Sequence, residues 1–377
     1  MLKLPPLSLY IHIPWCIQKC PYCDFHSQPL KGRLPNIKYI NHLLHDLEQD
    51  LQHISNNREV ISIYIGGGTP SLLSNNAIQM LMDGIRTRLL LNENSEITIE
   101  INPEIIDSNR FIKYQKTGIN RISIGVQSFN SKKLKSLGRT HSSKKAKEII
   151  NLVSKMNFKS FNIDLMYGLP NQSLEEAIHD LCQAIVLNPP HLSWYQLTIE
   201  ANTLFNSYQP SLPDDTTLWN IYKKGNQLLT AAGYHRYEIS AYAKPGYYCK
   251  HNLNYWRFGD YLGIGCSAHG KLTKPNGCII RIVKNKYLYS FMNGKYIDTQ
   301  YQLNNDDKKI EFLMNRFRLF ENIPCSDFYK YTGLHETVIE SQIKNAIASG
   351  YLLKVKNYWK VTKKGKLFLN SLLELFL

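Results

Sequence analysis

The sequence predicts an α/β protein: a partial barrel of six strand–helix units, followed by a smaller α+β module. Three observations carry this. From Leu7 to about residue 205, apolar strand-like runs alternate with amphipathic helix-like runs, which implies parallel strands under covering helices. Only about six such units fit before residue 205, too few for an eight-fold barrel, so one side is expected to be open. From about Asp306 the pattern becomes three helices, a strand pair and a closing helix, as in a winged-helix-like module.

In order, LSLYIHI is the first strand, and YINHLLHDLEQDLQHI carries apolar residues at helical spacing. VISIYIGGG is a buried-type strand ending in glycines. AIQMLMDGIRTRLL (helix), EITIEINP (strand) and DSNRFIKYQKTG (a helix stopped by Gly118) come next. RISIGVQSF, KKAKEIINLVSKM and SFNIDLMYGLP read as strand, helix and strand. SLEEAIHDLCQAIVL opens with Ser173 and Glu176 in capping-box positions, and LSWYQLTIE is a further strand. This gives a barrel domain over 1–235, a connecting segment over 236–300 and a C-terminal module over 301–377.

A chain of 377 residues, 43% hydrophobic, suits two or three domains at ~150 residues each. Its start is broken by Pro5, Pro6, His12 and Pro14, so it reads as lacking a signal peptide, and no run approaches the ~18 apolar residues of a membrane span. The expectation is a cytoplasmic protein with reduced thiols, in which clustered cysteines hold metal. The net charge of +15 would suit nucleic acid, an anionic membrane or an acidic ligand. Its lysines are scattered and no nucleic-acid motif accompanies them, so nucleic acid is not an expected partner. The closing LFLNSLLELFL is read as docked into its own module, with transient contact to a membrane or partner as the other reading.

The unusual residues fall at strand ends, where barrel sites form. Cys16, Cys20 and Cys23 follow strand one and Gly66–Thr69 follow strand two. Glu100 and Asn102, Gln127 and Asp164 mark strands three, four and five. The cysteine spacing lets three thiolates converge from one loop. Zinc would need a fourth ligand from Asp24, His26 or His12. Three thiolates instead suit a [4Fe–4S] cluster with one iron left open, at a potential of roughly −400 to −700 mV. Cys182, Cys249, Cys266, Cys278 and Cys325 are isolated and read as small buried residues. Gly66, Gly67 and Gly68 let backbone approach a ligand closely, and no Gly-Lys-Ser/Thr follows to make a P-loop. Glu100, set between apolar residues, calls for a cationic partner.

CIQKCPYC followed by GGGTP resembles the radical S-adenosylmethionine (SAM) enzymes. That resemblance implies a cluster whose open iron is chelated by the methionine end of SAM, and reductive cleavage to a deoxyadenosyl radical. The Gly66–Thr69 loop would receive the methionine amino group, Glu100 the amine or ribose, and Tyr10 and Tyr22 would flank the cluster. More narrowly, SLYIHIPWC, CDF, GGGTPSLL, GVQSF, DLMYGLP, HNLNYW and GIGCSAHG together are similar to the oxygen-independent coproporphyrinogen III oxidase family, over essentially the whole chain. Carried over, Tyr10, Gly67, Gly68, Thr69 and Glu100 surround the cluster-bound SAM, and Gln127, Arg139 and Asp164 match positions that hold a second SAM in the oxidases.

Three departures point to a sister branch of haem chaperones. The first cysteine is already residue 16, Phe25 stands where the oxidase has a further cysteine, and HNLNYW spans His251–Trp256. The resemblance then implies haem as ligand, with His251 as axial ligand and His269 and Cys249 as rivals. Asn252 would fix the imidazole tautomer, and Tyr255 and Trp256 would stack on the porphyrin. It further implies an acceptor haem protein, expected in the respiratory chain, and an electron donor for the cluster. The alternatives are a decarboxylase of the coproporphyrinogen III propionates and a radical-SAM enzyme with another substrate. Whether the scaffold turns over a substrate at all stays open.

Overall fold

The computed structural model describes residues 4–55 and 57–377; the first three residues of the proline-broken start lie outside it. Six parallel strands follow one another in the sheet in chain order: β1 (Leu7–Ile13), β2 (Val60–Gly67), β3 (Leu91–Ile101), β4 (Arg121–Gln127), β5 (Ser160–Tyr167) and β6 (His191–Gln196). The main helices between and after them are α1 (Asn36–Leu51), α2 (Asn75–Arg86), α3 (Ser108–Lys116), α4 (Ser143–Ser154), α5 (Leu174–Val186) and α6 (Asp215–Ala231). Sequential order with crossovers of one hand puts every helix on the same face. Neighbouring helices accordingly pack side by side, α1 on α2 and α2 on α3.

Strand periodicity of two explains both faces. Leu9, Ile11, Ile63, Ile65, Ile97, Ile99, Ile122, Ile124, Ile163 and Leu192 point at the helices and are buried with them in one core. The alternate positions, Ser8, Ser62, Thr98, Ser123, Asn162 and His191, are polar and also buried, so this part of the inner face is closed off from water as well. The expected capping box is present: Glu176 N–H donates to Ser173 Oγ at 3.2 Å, and Ser173 N–H to Glu176 Oε2 at 3.0 Å.

The sheet runs further than the six units. Residues 236–300, expected as a connecting segment, supply most of the rest. Its strands are β7 (His235–Arg236), β8 (Ala241–Ala243), β9 (Asp260–Ile264), β10 (His269–Thr273), β11 (Ile279–Lys284) and β12 (Ile297–Gln302). They complete a 12-stranded sheet of order β12-β11-β10-β9-β1-β2-β3-β4-β5-β6-β8-β7. Among the described residues its two edge strands do not pair, so it is open. β9 lies parallel beside β1, with Tyr10 opposite Gly263, so the parallel run has a seventh strand. One helix, α7 (Lys250–Trp256), packs against β1, β2 and β9. His251 and Asn254 of α7 hydrogen-bond inner-face serines: His251 Nδ1 lies 3.0 Å from Ser62 Oγ, and Asn254 donates to Ser8 Oγ at 2.9 Å.

The C-terminal module opens with α8 (Asn305–Arg316) and has a three-stranded sheet of Ile323–Pro324, Tyr358–Val361 and Leu352–Val355. Its closing stretch is two short helices, Lys363–Leu367 and Leu369–Glu374, broken at Phe368. Leu372 and Phe376 are buried in the module's core, which also takes in Ile279 from β11 and Phe258 from the turn between α7 and β9. Among the described residues no helix is long and apolar enough to cross a membrane.

Candidate functional site: a cavity between the cysteine loop and the strand ends

A cavity of about 440 Å³ opens at the C-terminal ends of the strands. It is lined by Cys16, Cys20, Cys23, Tyr22, Gly67, Gly68, Thr69, Glu100, Gln127, Arg139 and Asp164, so eleven of the thirteen sequence-predicted site residues meet in one place. Tyr10 and His251 are not among its lining residues.

The cysteine loop is closed at its base by a two-residue parallel ladder, Gln28 N–H to Pro14 O at 2.9 Å and Leu30 N–H to Cys16 O at 2.9 Å. The glycine turn docks on the same base: Gly68 N–H donates to Ile13 O at 2.7 Å and Thr69 N–H to Trp15 O at 2.6 Å. Farther along, Phe205 N–H holds Pro21 O at 2.9 Å. Arg139 donates to Gly125 O at 2.6 Å and reaches Cys20 Sγ at 3.9 Å. Burial pushes the Cys16 and Cys23 thiols up, with Lys19 opposing this in both. Bound iron would reverse that balance, because a ligated thiol is deprotonated outright.

No three His, Cys, Asp or Glu side chains among the described residues gather closely enough to hold a single metal ion. The donor set itself, three cysteines on one loop, fits a [4Fe–4S] cluster, which Cys16, Cys20 and Cys23 would hold with one iron left without a protein ligand. Of the candidate fourth zinc ligands, His12 has both ring nitrogens engaged, by Tyr10 OH at 3.0 Å and His26 O at 2.8 Å, and Asp24 and His26 are exposed.

Two half-buried carboxyls line the same cavity as the thiols. Glu100 Oε1 accepts from Tyr64 OH at 2.9 Å and Oε2 from Gly67 N–H at 3.2 Å. Burial, with Asp164 adding to it, pushes Glu100 up to about 7. Asp164 is raised by burial too, and accepts from Asn162 Nδ2 at 2.8 Å. A cationic ligand would relieve both. Gln127 reaches the cavity through a β-bulge: the β4–β5 register shifts between Gly125 and Gln127, and Gln127 takes a left-handed φ of 68°. Its Oε1 accepts from Tyr195 OH at 2.9 Å. Such strain in a non-glycine residue persists only where the surroundings hold it.

The HNLNYW helix divides its residues. Asn252 and Trp256, four apart, line the cavity. His251 is 2% exposed and stacks on Tyr64 at 5.1 Å between ring centroids. Burial pushes it down to about 3, so the ring is neutral. Ser62, and not the expected Asn252, engages its Nδ1, and Nε2 has no partner. Tyr255 packs edge-on against His251 and Tyr261 and does not line the cavity. The rivals differ in exposure: Cys249 is buried and its thiol is pushed up to about 12, whereas His269 is exposed on β10. Of the other isolated cysteines, Cys266 and Cys325 are buried as expected, but Cys182 is exposed and Cys278 half-buried.

Several lining residues escaped the sequence reading: Tyr64, Ser193, Tyr195, Glu238 and Arg318. The first three share strand parity with Glu100 and Asp164, so alternation could have found them. Glu238 and Arg318 come from distant segments and carry no local signal.

Family models match this chain for the radical SAM superfamily over residues 10–181 and for the HemN C-terminal domain over residues 303–368. The chain is 61% identical over 377 residues to the haem chaperone HemW of Escherichia coli K12, with 100% of both chains covered. It is 54% identical over 380 residues to that of Haemophilus influenzae, covering 100% of this chain and 99% of the relative. Among solved structures, coproporphyrinogen III oxidase (HemN) from Escherichia coli, a radical SAM enzyme, superposes with a TM-score of 0.84 at 23% identity. That match covers 99% of this chain and 90% of the oxidase, and is a likeness of fold. With radical SAM and HemN-type domains in one chain and full-length identity to such relatives, the chain belongs to the HemW family of the radical SAM superfamily.

Proposed function

We propose that this protein binds haem and passes it to an acceptor haem protein, on a scaffold whose cysteine loop holds a [4Fe–4S] cluster with SAM at the open iron. The observation that carries the reading is the 61% identity to a haem chaperone across all 377 residues, which include every segment lining the cavity. Cys16, Cys20 and Cys23 would ligate the cluster. Gly67, Gly68 and Thr69 offer close backbone to the methionine end of SAM, and Glu100 and Asp164 offer negative charge to its cationic groups. When bound, the cluster supplies a low-potential electron. Tyr10 would act indirectly, through His12 at the base of the loop. We place the protein in the cytoplasm, with an acceptor in the respiratory chain.

His251 is proposed as the haem ligand. It is neutral, and its buried Nε2 has no hydrogen-bond partner. Because His251 lies behind Tyr64, ligation requires α7 to carry the imidazole toward the cavity.

Gln127, Arg139 and Asp164 on the same cavity favour a second reading, oxidative decarboxylation of coproporphyrinogen III with a second SAM. One experiment separates the two. Anaerobically reconstituted protein titrated with haemin should give a Soret band that His251→Ala loses. The same preparation, given coproporphyrinogen III, SAM and a reductant, should form no vinyl product. Vinyl product, or wild-type protein that takes up no haem, would overturn the chaperone reading.

A further inference from the structure

The wall of the cavity contributed by the C-terminal module is built differently from the rest. Arg318, just beyond α8, lays its guanidinium over the Trp256 ring at 4.3 Å from the centroid. Its Nη2 stands 3.6 Å from Glu238 Oε2, beyond hydrogen-bond distance, with side chains 30% and 5% exposed. The turn that carries it is pinned. Phe320 N–H donates to Tyr237 O at 2.9 Å, Arg236 sits over the Phe320 ring at 4.8 Å, and Arg257 pairs with Glu321 at 2.6 Å. The backbone is therefore fixed, while the guanidinium is held only by the Trp256 ring face and a long approach to Glu238.

Each of the three residues has one buried polar atom without a hydrogen-bond partner: Arg318 Nε, Trp256 Nε1 and Glu238 Oε2. The other Glu238 oxygen is occupied, accepting from Ser240 N–H at 2.9 Å. An ion pair made only to join the module to the sheet would close to a short contact and satisfy Arg318 Nε. Leaving each such group unmade costs about 1–3 kcal/mol. Two of the three are donors, and both belong to residues that line the cavity. Their complement is a planar acceptor with two oxygens, a carboxylate. Burial raises Glu238, so it takes a proton more readily than an ordinary glutamate and can then donate to an incoming carboxylate instead of repelling it.

We propose that Arg318, Trp256 and Glu238 form the seat for a propionate arm of the haem. This rests on the haem reading above and adds to it a specificity determinant supplied by the C-terminal module.

The test compares haemin with its dimethyl ester, which keeps iron and macrocycle but masks both carboxylates. Wild-type protein should bind haemin about tenfold tighter than the ester, about 1.4 kcal/mol. Arg318→Ala should weaken haemin by that factor, leave the ester unchanged and leave SAM affinity unchanged; Arg318→Lys should recover part of the preference. Wild-type protein that binds haemin and ester equally overturns the seat while leaving the haem reading intact. So does Arg318→Ala weakening both porphyrins alike, or weakening SAM. Wild-type protein that takes up neither porphyrin overturns the haem reading and the seat together. Should Arg318→Ala fail to fold, the comparison on wild-type protein decides alone.

Discussion

Gly68 shows how little room the cysteine loop leaves. A Cβ there would stand 2.4 Å from Trp15 O, and one on Gly67, at φ 108°, would stand 2.6 Å from the His12 ring. Gly68→Ala should push the glycine turn off the base of the loop, costing about 1–3 kcal/mol. Iron and sulfide bound per chain after reconstitution should fall with the melting temperature; full iron content would contradict this. Glu100 gives a pH signature. Its value rises from 4.5 unfolded to about 7 folded, so between those limits the folded chain holds the extra proton and stability falls as pH rises. Cluster-free Glu100→Gln should melt higher than wild type above pH 7, and the gap should close toward pH 4.5. A gap independent of pH would show that Glu100 is not held protonated. The three cysteines, the glycines, Glu100 and Asp164 were legible because their chemistry is local. The left-handed turn at Gln127 was not, because nothing in GVQSF marks a bulge that only the neighbouring strand enforces.

At the scale of elements, the strands were legible through alternation, which already separates Ser8, Tyr10 and His12 from Leu7, Leu9, Ile11 and Ile13. The seventh parallel strand was not, because DYLGI is short and its register is set by β1, more than two hundred residues away in sequence. Asp260 anchors that strand. Its carboxylate accepts from Arg58 at 2.9 Å and from Thr273 N–H and Oγ1 at 2.9 and 2.8 Å, with Lys271 Nζ at 3.3 Å, all in a buried setting. Asp260→Ala leaves two cations buried without their carboxylate, which costs about 3–5 kcal/mol. Chemical denaturation should show a loss of that size, with a smaller loss for Asp260→Asn; a loss under 1 kcal/mol would contradict the assignment. α7 is held by a distant carboxylate too: Glu96 accepts from the Lys250 and His251 N–H groups, both at 3.2 Å. That cap ties the start of HNLNYW to β3, which carries Glu96. The sequence showed the motif but not which side of the helix would face the cavity.

At the scale of the molecule, the large sheet and the C-terminal module share a core. Phe258 packs on Phe312 at 5.7 Å between ring centroids, and Lys271 lies 3.9 Å from the Phe258 ring centre. Thermal unfolding should therefore be one cooperative transition, and Phe312→Ala should shift the whole of it; a separate low-temperature step would show independent modules. The change of pattern near residue 306 was legible as a change of fold, but the shared core was not, because its contacts join residues far apart in the chain. The proposed chemistry depends on the cysteine loop presenting three thiolates to a cluster with one iron free for SAM. The most direct measurement is electron paramagnetic resonance on anaerobically reconstituted, reduced protein before and after SAM. The expected result is about four irons and four sulfides per chain, a [4Fe–4S]⁺ signal that changes when SAM is added, and its loss in Cys20→Ala. A single metal without sulfide, or a signal indifferent to SAM, would contradict it.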